Sequence, residues 1–165
     1  MILIALGANL SGLHGGPDKM LRKAIDALEE NGLEILAASA IWLTEPVPVS
    51  DQPLYRNAVI EVKSSRKPQE LLNLLHSIEL DFGRVRKNRN EARVIDLDLL
   101  AYNDVISTDA DLLLPHPRMH ERGFVLYPLA EIAPEWMHPV LKKTTSEMIS
   151  LLPENNFETI KKVAA

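Results

Sequence analysis

The chain contains no cysteine. That excludes disulfides, thiolate catalysis and any zinc or iron–sulfur site built on cysteine, and it fits a reducing compartment. Basic residues are not in excess: 18 Lys and Arg against 23 Asp and Glu leave a net charge of -5. The molecule as a whole is therefore no polyanion binder, and any nucleotide or nucleic-acid site has to be a local basic patch. No apolar run approaches the roughly 20 residues that span a bilayer. The opening Met1–Gly7 stretch is apolar, but too short and too poor in basic residues for a signal peptide. A cytoplasmic protein is expected. No G-x-x-x-x-G-K-[ST] loop occurs, so any ATP is held without one. No repeat, low-complexity segment or linker interrupts the 165 residues, which suffice for a single domain, 1–165, with a real core. The 46% hydrophobic and 25% charged content is that of a soluble globular chain.

Periodicity and punctuation predict the elements. Ile2 to Leu6 reads as a buried strand, ended by Gly7 and a turn-rich stretch to Pro17. Pro17 opens a helix with Leu21, Ala24, Ile25 and Leu28 as its apolar stripe and Gly32 as its stop. Glu34 to Leu43 reads as a second strand, and Thr44 to Pro53, with three prolines, as a loop. Arg56 to Ser64 alternates as a third strand, with Ala58, Ile60 and Val62 on one face and Asn57, Val59 and Glu61 on the other. Pro68 opens a second helix with Leu71, Leu74, Leu75, Ile78 and Phe82 on one face. Arg84 to Arg93 is polar and irregular, and Val94 to Tyr102 is a fourth strand. The order β-α-β-β-α-β predicts an α+β, ferredoxin-like antiparallel sheet with both helices on one face. From Leu112 onward a C-terminal helical extension is expected, in short pieces because of Pro115, Pro117, Pro128, Pro134 and Pro139.

Three clusters carry chemistry. Asp96 and Asp98 stand two apart in R-V-I-D-L-D-L-L, residues 93–100, and so share a strand face, with Ile95, Leu97 and Leu99 opposite. Neighbouring carboxylates repel, and one tends to stay protonated. A divalent cation removes the conflict, and magnesium, which takes few carboxylates and fills its shell with water and phosphate oxygens, suits a pair. An exposed pair on a solvated strand face is the plain alternative. Arg84, Arg86, Lys87, Arg89 and Arg93 lie just before the pair. Guanidiniums beside carboxylates are the parts of a phosphoryl-transfer site. The second cluster, L-P-H-P-R-M-H-E-R-G-F at 114–124, offers His116, Arg118, His120 and Arg122 as phosphate partners. A zinc pair of His116 and His120 with Glu121 is disfavoured by Pro117, which disturbs the register between the histidines. The third is Tyr55 and Asn57, on one strand face, with Phe124: ring and amide for a planar heterocycle, or ordinary core packing. Two decoys are set aside. Asp81-Phe82-Gly83 matches the kinase magnesium tripeptide without the rest of a kinase, and Asn9-Leu10-Ser11 matches a glycosylation sequon without a secretion signal.

Taken in order, these residues resemble 6-hydroxymethyl-7,8-dihydropterin pyrophosphokinase of folate biosynthesis. The likeness runs to about Pro139 through G-A-N-L at 7–10, T-E-P at 44–46, D-Q-P-L-Y-R-N-A at 51–58, I-E-L-D-F-G-R-V-R at 78–86, R-V-I-D-L-D-L-L at 93–100 and P-H-P-R-M-H-E-R-G-F-V-L-Y-P-L-A-E-I-A-P at 115–134. The resemblance implies a monomeric enzyme that moves the β,γ-pyrophosphoryl unit of ATP to the pterin hydroxymethyl group and releases AMP. It implies that Asp96 and Asp98 hold two Mg2+ ions, and that Arg84 and Arg93, on a mobile loop, follow the transferring group. Glu79, Arg86, His116 and Arg122 would bind ATP. Tyr55 and Phe124 would sandwich the pterin, with Asn57 and the Thr44 backbone reading its edge. The chain departs from the family pattern at Arg89-Asn90-Glu91-Ala92-Arg93, where an aromatic-Gly-Pro-Arg run is usual, and at His76, where glutamine is common. Rival readings are a metal-dependent phosphohydrolase using Asp96 and Asp98, and a non-catalytic ferredoxin-like ligand-binding module.

Overall fold

The structure, a computed structural model, describes residues 1–84, 92–153 and 160–163. Its elements run β1 (Ile2–Ala8), α1 (Pro17–Glu30), β2 (Glu34–Ala38), β3 (Trp42–Thr44), β4 (Tyr55–Lys63), α2 (Pro68–Asp81), β5 (Asp96–Tyr102), β6 (Ser107–Asp109), β7 (Leu112–Leu114), α3 (Gly123–Ile132), α4 (Thr145–Ser150) and β8 (Ile160–Lys162). Among the described residues the main sheet has the order β5-β1-β4-β3-β8, with β2 also on β4 and all pairs antiparallel. β6 and β7 form a separate hairpin.

The alternation read from the sequence decides the layers. Ile2, Ile4 and Leu6 of β1, Ala58, Ile60 and Val62 of β4, and Leu97 and Leu99 of β5 pack with α1 and α2 in one core. Leu3, Val59 and Leu100 face the other way and pack with Val125 and Leu129 of α3. The sheet is thus covered on both faces, and α3 walls the face that carries Asn57, Asp96 and Asp98.

Three expectations need correction. The strand predicted over Glu34–Leu43 is two, β2 and β3, lying end to end along one edge of β4. The break falls at Ser39: its N–H still donates to the Val59 carbonyl at 2.9 Å, but the Val59 N–H donates to the Ser39 hydroxyl at 3.0 Å, and that hydroxyl donates to the Ala40 carbonyl at 2.8 Å. In the tail, α3 runs ten residues straight through Pro128. A proline six positions into a helix forfeits one hydrogen bond, and the packing of Val125, Leu126 and Leu129 in two core clusters outweighs it. β6–β7 and β8 were not foreseen. β8 pairs with β3, placing Ile160 opposite Thr44, and Lys162 Nζ lies 2.6 Å from Glu131 on α3.

Both long helices end in the same device. Gly32 and Gly83 each have φ of +86°. Around them, Gly32 N–H donates to the Glu29 carbonyl and Leu33 N–H to Leu28, while Gly83 N–H donates to Leu80 and Arg84 N–H to Glu79. These are Schellman closures, which need a left-handed residue that glycine adopts without strain.

Candidate active site

A buried carboxylate is costly unless compensated, and the two aspartates of β5 are compensated differently. Arg84 Nη1 donates to Asp96 Oδ1 and Arg93 Nη1 to Asp96 Oδ2, each at 2.5 Å. Burial alone would raise the Asp96 carboxyl. The two guanidiniums outweigh it and hold the group below its ordinary value. Burial and the Asp96 charge push Asp98 up to about 6, and Arg122, Arg93 and Arg84 only partly oppose this. The pair is therefore split, one carboxylate saturated by arginine and its neighbour short of positive charge. A cation would supply that charge. Among the described residues no group of three or more His, Asp or Glu converges to enclose a metal. The donor set is two carboxylates, which fits magnesium completed by water and phosphate better than zinc.

Arg84 is held from behind. Its backbone N–H closes the α2 Schellman motif on the Glu79 carbonyl at 3.0 Å. Its side chain forms an ion pair with the Glu79 carboxylate, which also accepts the Leu97 N–H at 2.7 Å. Glu79 and Arg84 are 3% and 8% exposed. Arg84 was expected on a mobile loop and Glu79 at the nucleotide. The structure places Arg84 directly after α2 and Glu79 beneath β5, next to the Leu97 N–H.

Arg93 is tied at its backbone as well as through Asp96. Its N–H donates to Asn9 Oδ1 at 2.8 Å, and its carbonyl accepts from the N–H groups of Asn9 and Leu10 at 3.0 and 3.1 Å. Asn9 Nδ2 donates onward to Gln52 Oε1 and the Pro53 carbonyl. Sequence reasoning gave Asn9 no role. Its signal was an amide directly after a buried strand, at a position that also matched a sequon. Being 2% exposed and fully bonded, it is a structural tie that carries Arg93 to the site.

One cavity gathers most of the expected residues. Thr44, Tyr55, Asn57, Arg93, Asp96, Asp98, Arg122 and Phe124 line it, with Gly7 and Glu45. Asn57 Nδ2 donates to Thr44 Oγ1 at 2.7 Å, which fixes the amide. Glu45, absent from the expected set, sits on its rim. Arg84 and Glu79 stand behind this cavity rather than on its wall.

The 114–124 cluster divides. Arg122 lies over the Phe124 ring, 5.5 Å from its centroid, so a charge and a ring two residues apart face the same space. Burial, reinforced by Arg122, lowers His116 to about 4. His116 is thus neutral near pH 7, and its Nδ1 accepts the Arg118 N–H at 3.2 Å. Nε2 then carries the proton and can donate. His120 turns away and packs edge-on to His138, centroids 6.1 Å apart, so the alternative zinc pair with His116 gains no support. Arg118 lies 3.7 Å from Glu121 on a neighbouring cavity. Arg86, expected at ATP, lies outside the described residues.

Comparison with known proteins bears on this arrangement. A sequence profile described as 7,8-dihydro-6-hydroxymethylpterin-pyrophosphokinase (HPPK) matches residues 3–134. A 2-amino-4-hydroxy-6-hydroxymethyldihydropteridine pyrophosphokinase from Bacillus subtilis is 40% identical over 144 residues, covering 87% of this chain and 81% of that protein. The folic acid synthesis protein fol1 of Pneumocystis carinii is 38% identical over 139 residues, 84% of this chain. This chain spans 18% of that protein's length. A crystal structure of Plasmodium falciparum HPPK-DHPS with pterin and p-hydroxybenzoate shares the fold at a TM-score of 0.75 and 16% identity, covering 99% of this chain and 47% of that one.

Proposed function

Because the chain belongs to the 7,8-dihydro-6-hydroxymethylpterin-pyrophosphokinase family, we propose that it transfers the β,γ-pyrophosphoryl unit of ATP to the hydroxymethyl group of 6-hydroxymethyl-7,8-dihydropterin. The pterin hydroxyl oxygen bonds to the β-phosphorus as the bond to the α-phosphate oxygen breaks. AMP and the pterin diphosphate leave, for use in folate synthesis. The observation that carries this reading is the meeting, in one cavity, of a half-buried carboxylate pair flanked by arginines with two aromatic rings and a fixed amide.

Tyr55 and Phe124 flank the pterin ring, and Asn57 with Thr44 reads its polar edge. Arg122 and His116 hold the triphosphate, His116 as a neutral donor. Arg93, tied at the backbone and 26% exposed at the side chain, has the freedom to turn from Asp96 to a phosphate oxygen. Asp96 and Asp98 would hold two Mg2+ ions, which would supply neutralisation of phosphate charge. Holding the reactants in line and meeting developing charge account for the rate, because little covalent help is needed. The strand order β5-β1-β4-β2 with α1 and α2 on one face supports the ferredoxin-like reading. We further take the chain as one domain, acting as a monomer in the cytoplasm. No helix among the described residues is long and apolar enough to cross a membrane.

The test is transfer of label. With ATP labelled at the γ-phosphate, label on the pterin supports the proposal. Label on free phosphate, at a rate indifferent to pterin, would favour a phosphohydrolase.

A further inference from the structure

We infer, on the reading of the main cavity as a pterin site, that Ile160 of the C-terminal strand β8 is a positioning residue that sets the two walls between which the heterocycle lies. The family profile matches residues 3–134, so β8 lies outside the matched part. One wall is Thr44 with Asn57, and the other is Phe124. Ile160 stands against the backbone that carries each of them.

The amide wall depends on β3, a strand of three residues with β4 on one side and β8 on the other. Ile160 is paired with Thr44, and residues directly opposite in an antiparallel pair put their side chains on one face. That face looks toward α3. Thr44 Oγ1 accepts from Asn57 Nδ2 there, and Trp42, two residues back, stacks on Tyr127 of α3 with centroids 5.8 Å apart. Without β8, β3 would be an edge strand with one open side, and Thr44 would lose half of the ladder that fixes it. The ring wall depends on the start of α3. Gly123 stands between Arg122 and Phe124, and a Cβ placed on it would lie 2.6 Å from Ile160 Cδ1. Something would have to shift, so a bare Gly123 is what lets Ile160 rest on the α3 backbone.

β8 is held on the same face further along. Lys162 is opposite Trp42, and its Nζ lies 2.6 Å from Glu131 Oε1. The other Glu131 oxygen accepts the Ala40 N–H at 2.7 Å, and Val163 N–H donates to the Ile41 carbonyl at 2.8 Å. Lys162 is 58% exposed at its side chain, so this ion pair is worth little by itself. The apolar contact of Ile160 has to join the amide wall to the ring wall.

Binding of 6-hydroxymethylpterin, titrated calorimetrically with Mg2+ and a non-hydrolysable ATP analogue at saturation, tests this. Ile160→Ala should weaken pterin binding about tenfold, since small displacements of a positioning wall cost alignment. Gly123→Ala should weaken it by a similar factor, because the new Cβ drives Ile160 away. In the Ile160→Val background, which lacks Cδ1, Gly123→Ala should cost less than about threefold. Pterin binding by Ile160→Ala within about twofold of the unmutated protein, or equal losses from Gly123→Ala in both backgrounds, would overturn the inference, whatever happens to the unfolding midpoint. If Ile160→Ala does not fold, hydrogen exchange of the unmutated protein decides. On adding the pterin, the backbone amides of 160–163 should gain protection together with that of Thr44. A gain at Thr44 alone would contradict the assignment. An unmutated protein that binds no pterin would bring down the pterin-site reading, and this inference with it; normal binding that is indifferent to Ile160 brings down the inference alone.

Discussion

Asp98 is the residue at which the electrostatics of the site can be tested in isolation. Its carboxyl is raised to about 6 by burial and by Asp96, against roughly 3.9 in an unfolded chain. The folded state therefore binds this proton more tightly. Its contribution to stability is complete below about pH 4 and is lost as pH rises through about 6. Asp98→Asn should stabilise the metal-free protein by about 1–2 kcal/mol at pH 8 and by almost nothing at pH 4. Urea unfolding at the two pH values reads this, and added Mg2+ should narrow the difference. Equal effects at both would mean that Asp98 carries no buried charge. The same variant should cut turnover by at least about a thousandfold if the carboxylate holds a catalytic cation. Much of this was legible in the sequence. Period-two alternation puts Asp96 and Asp98 on one face, and the nearby arginines mark the chemistry. Which arginine saturates which carboxylate was not legible, because it depends on Arg84 and Arg93 arriving from different supports, a helix end and the Asn9 tie.

At the scale of the element, the end of α2 sets the position of Arg84. Gly83 adopts φ of +86°, and a Cβ there would meet nothing closer than 3.9 Å. Gly83→Ala is thus strained by its backbone and not by a clash, at about 1–2 kcal/mol. If the chain relieves that strain by opening the Schellman closure, Arg84 leaves Glu79. The expectation is a Tm drop of a few degrees together with a turnover loss well beyond tenfold, with ATP affinity little changed. A variant with the lower Tm and full turnover would show that Arg84 needs no fixed helix end. The sequence announced the stop through glycine after an apolar stripe, and it announced α1, β4 and β5 by their periods. It did not announce the split of β2 from β3, which hangs on one serine hydroxyl. Nor did it announce that α3 continues through Pro128, where burial overrides a local breaker. β8 was hidden for another reason: three residues pairing with an edge strand some 120 positions earlier leave no local pattern.

At the scale of the whole molecule, two cores lie on opposite faces of one sheet, and the candidate site lies on the α3 face among residues from β1, β3, β4, β5 and α3. No single element can keep the site if the sheet opens. Unfolding should therefore be one transition, coincident by far-ultraviolet circular dichroism and by the fluorescence of Trp42 and Trp136, which sit in β3 and just past α3. A non-hydrolysable ATP analogue with Mg2+ at a hundred times its Kd should raise stability by about 2.7 kcal/mol. Separate transitions would show that the α3 layer folds apart from the sheet. The most direct test of the central claim is a product analysis. The protein is mixed with ATP, Mg2+ and 6-hydroxymethyl-7,8-dihydropterin, and the nucleotides and pterins are resolved. AMP and pterin diphosphate should appear in equal amounts, with no nucleotide consumed when pterin is omitted. ADP with free phosphate, or ATP loss indifferent to pterin, would contradict that claim.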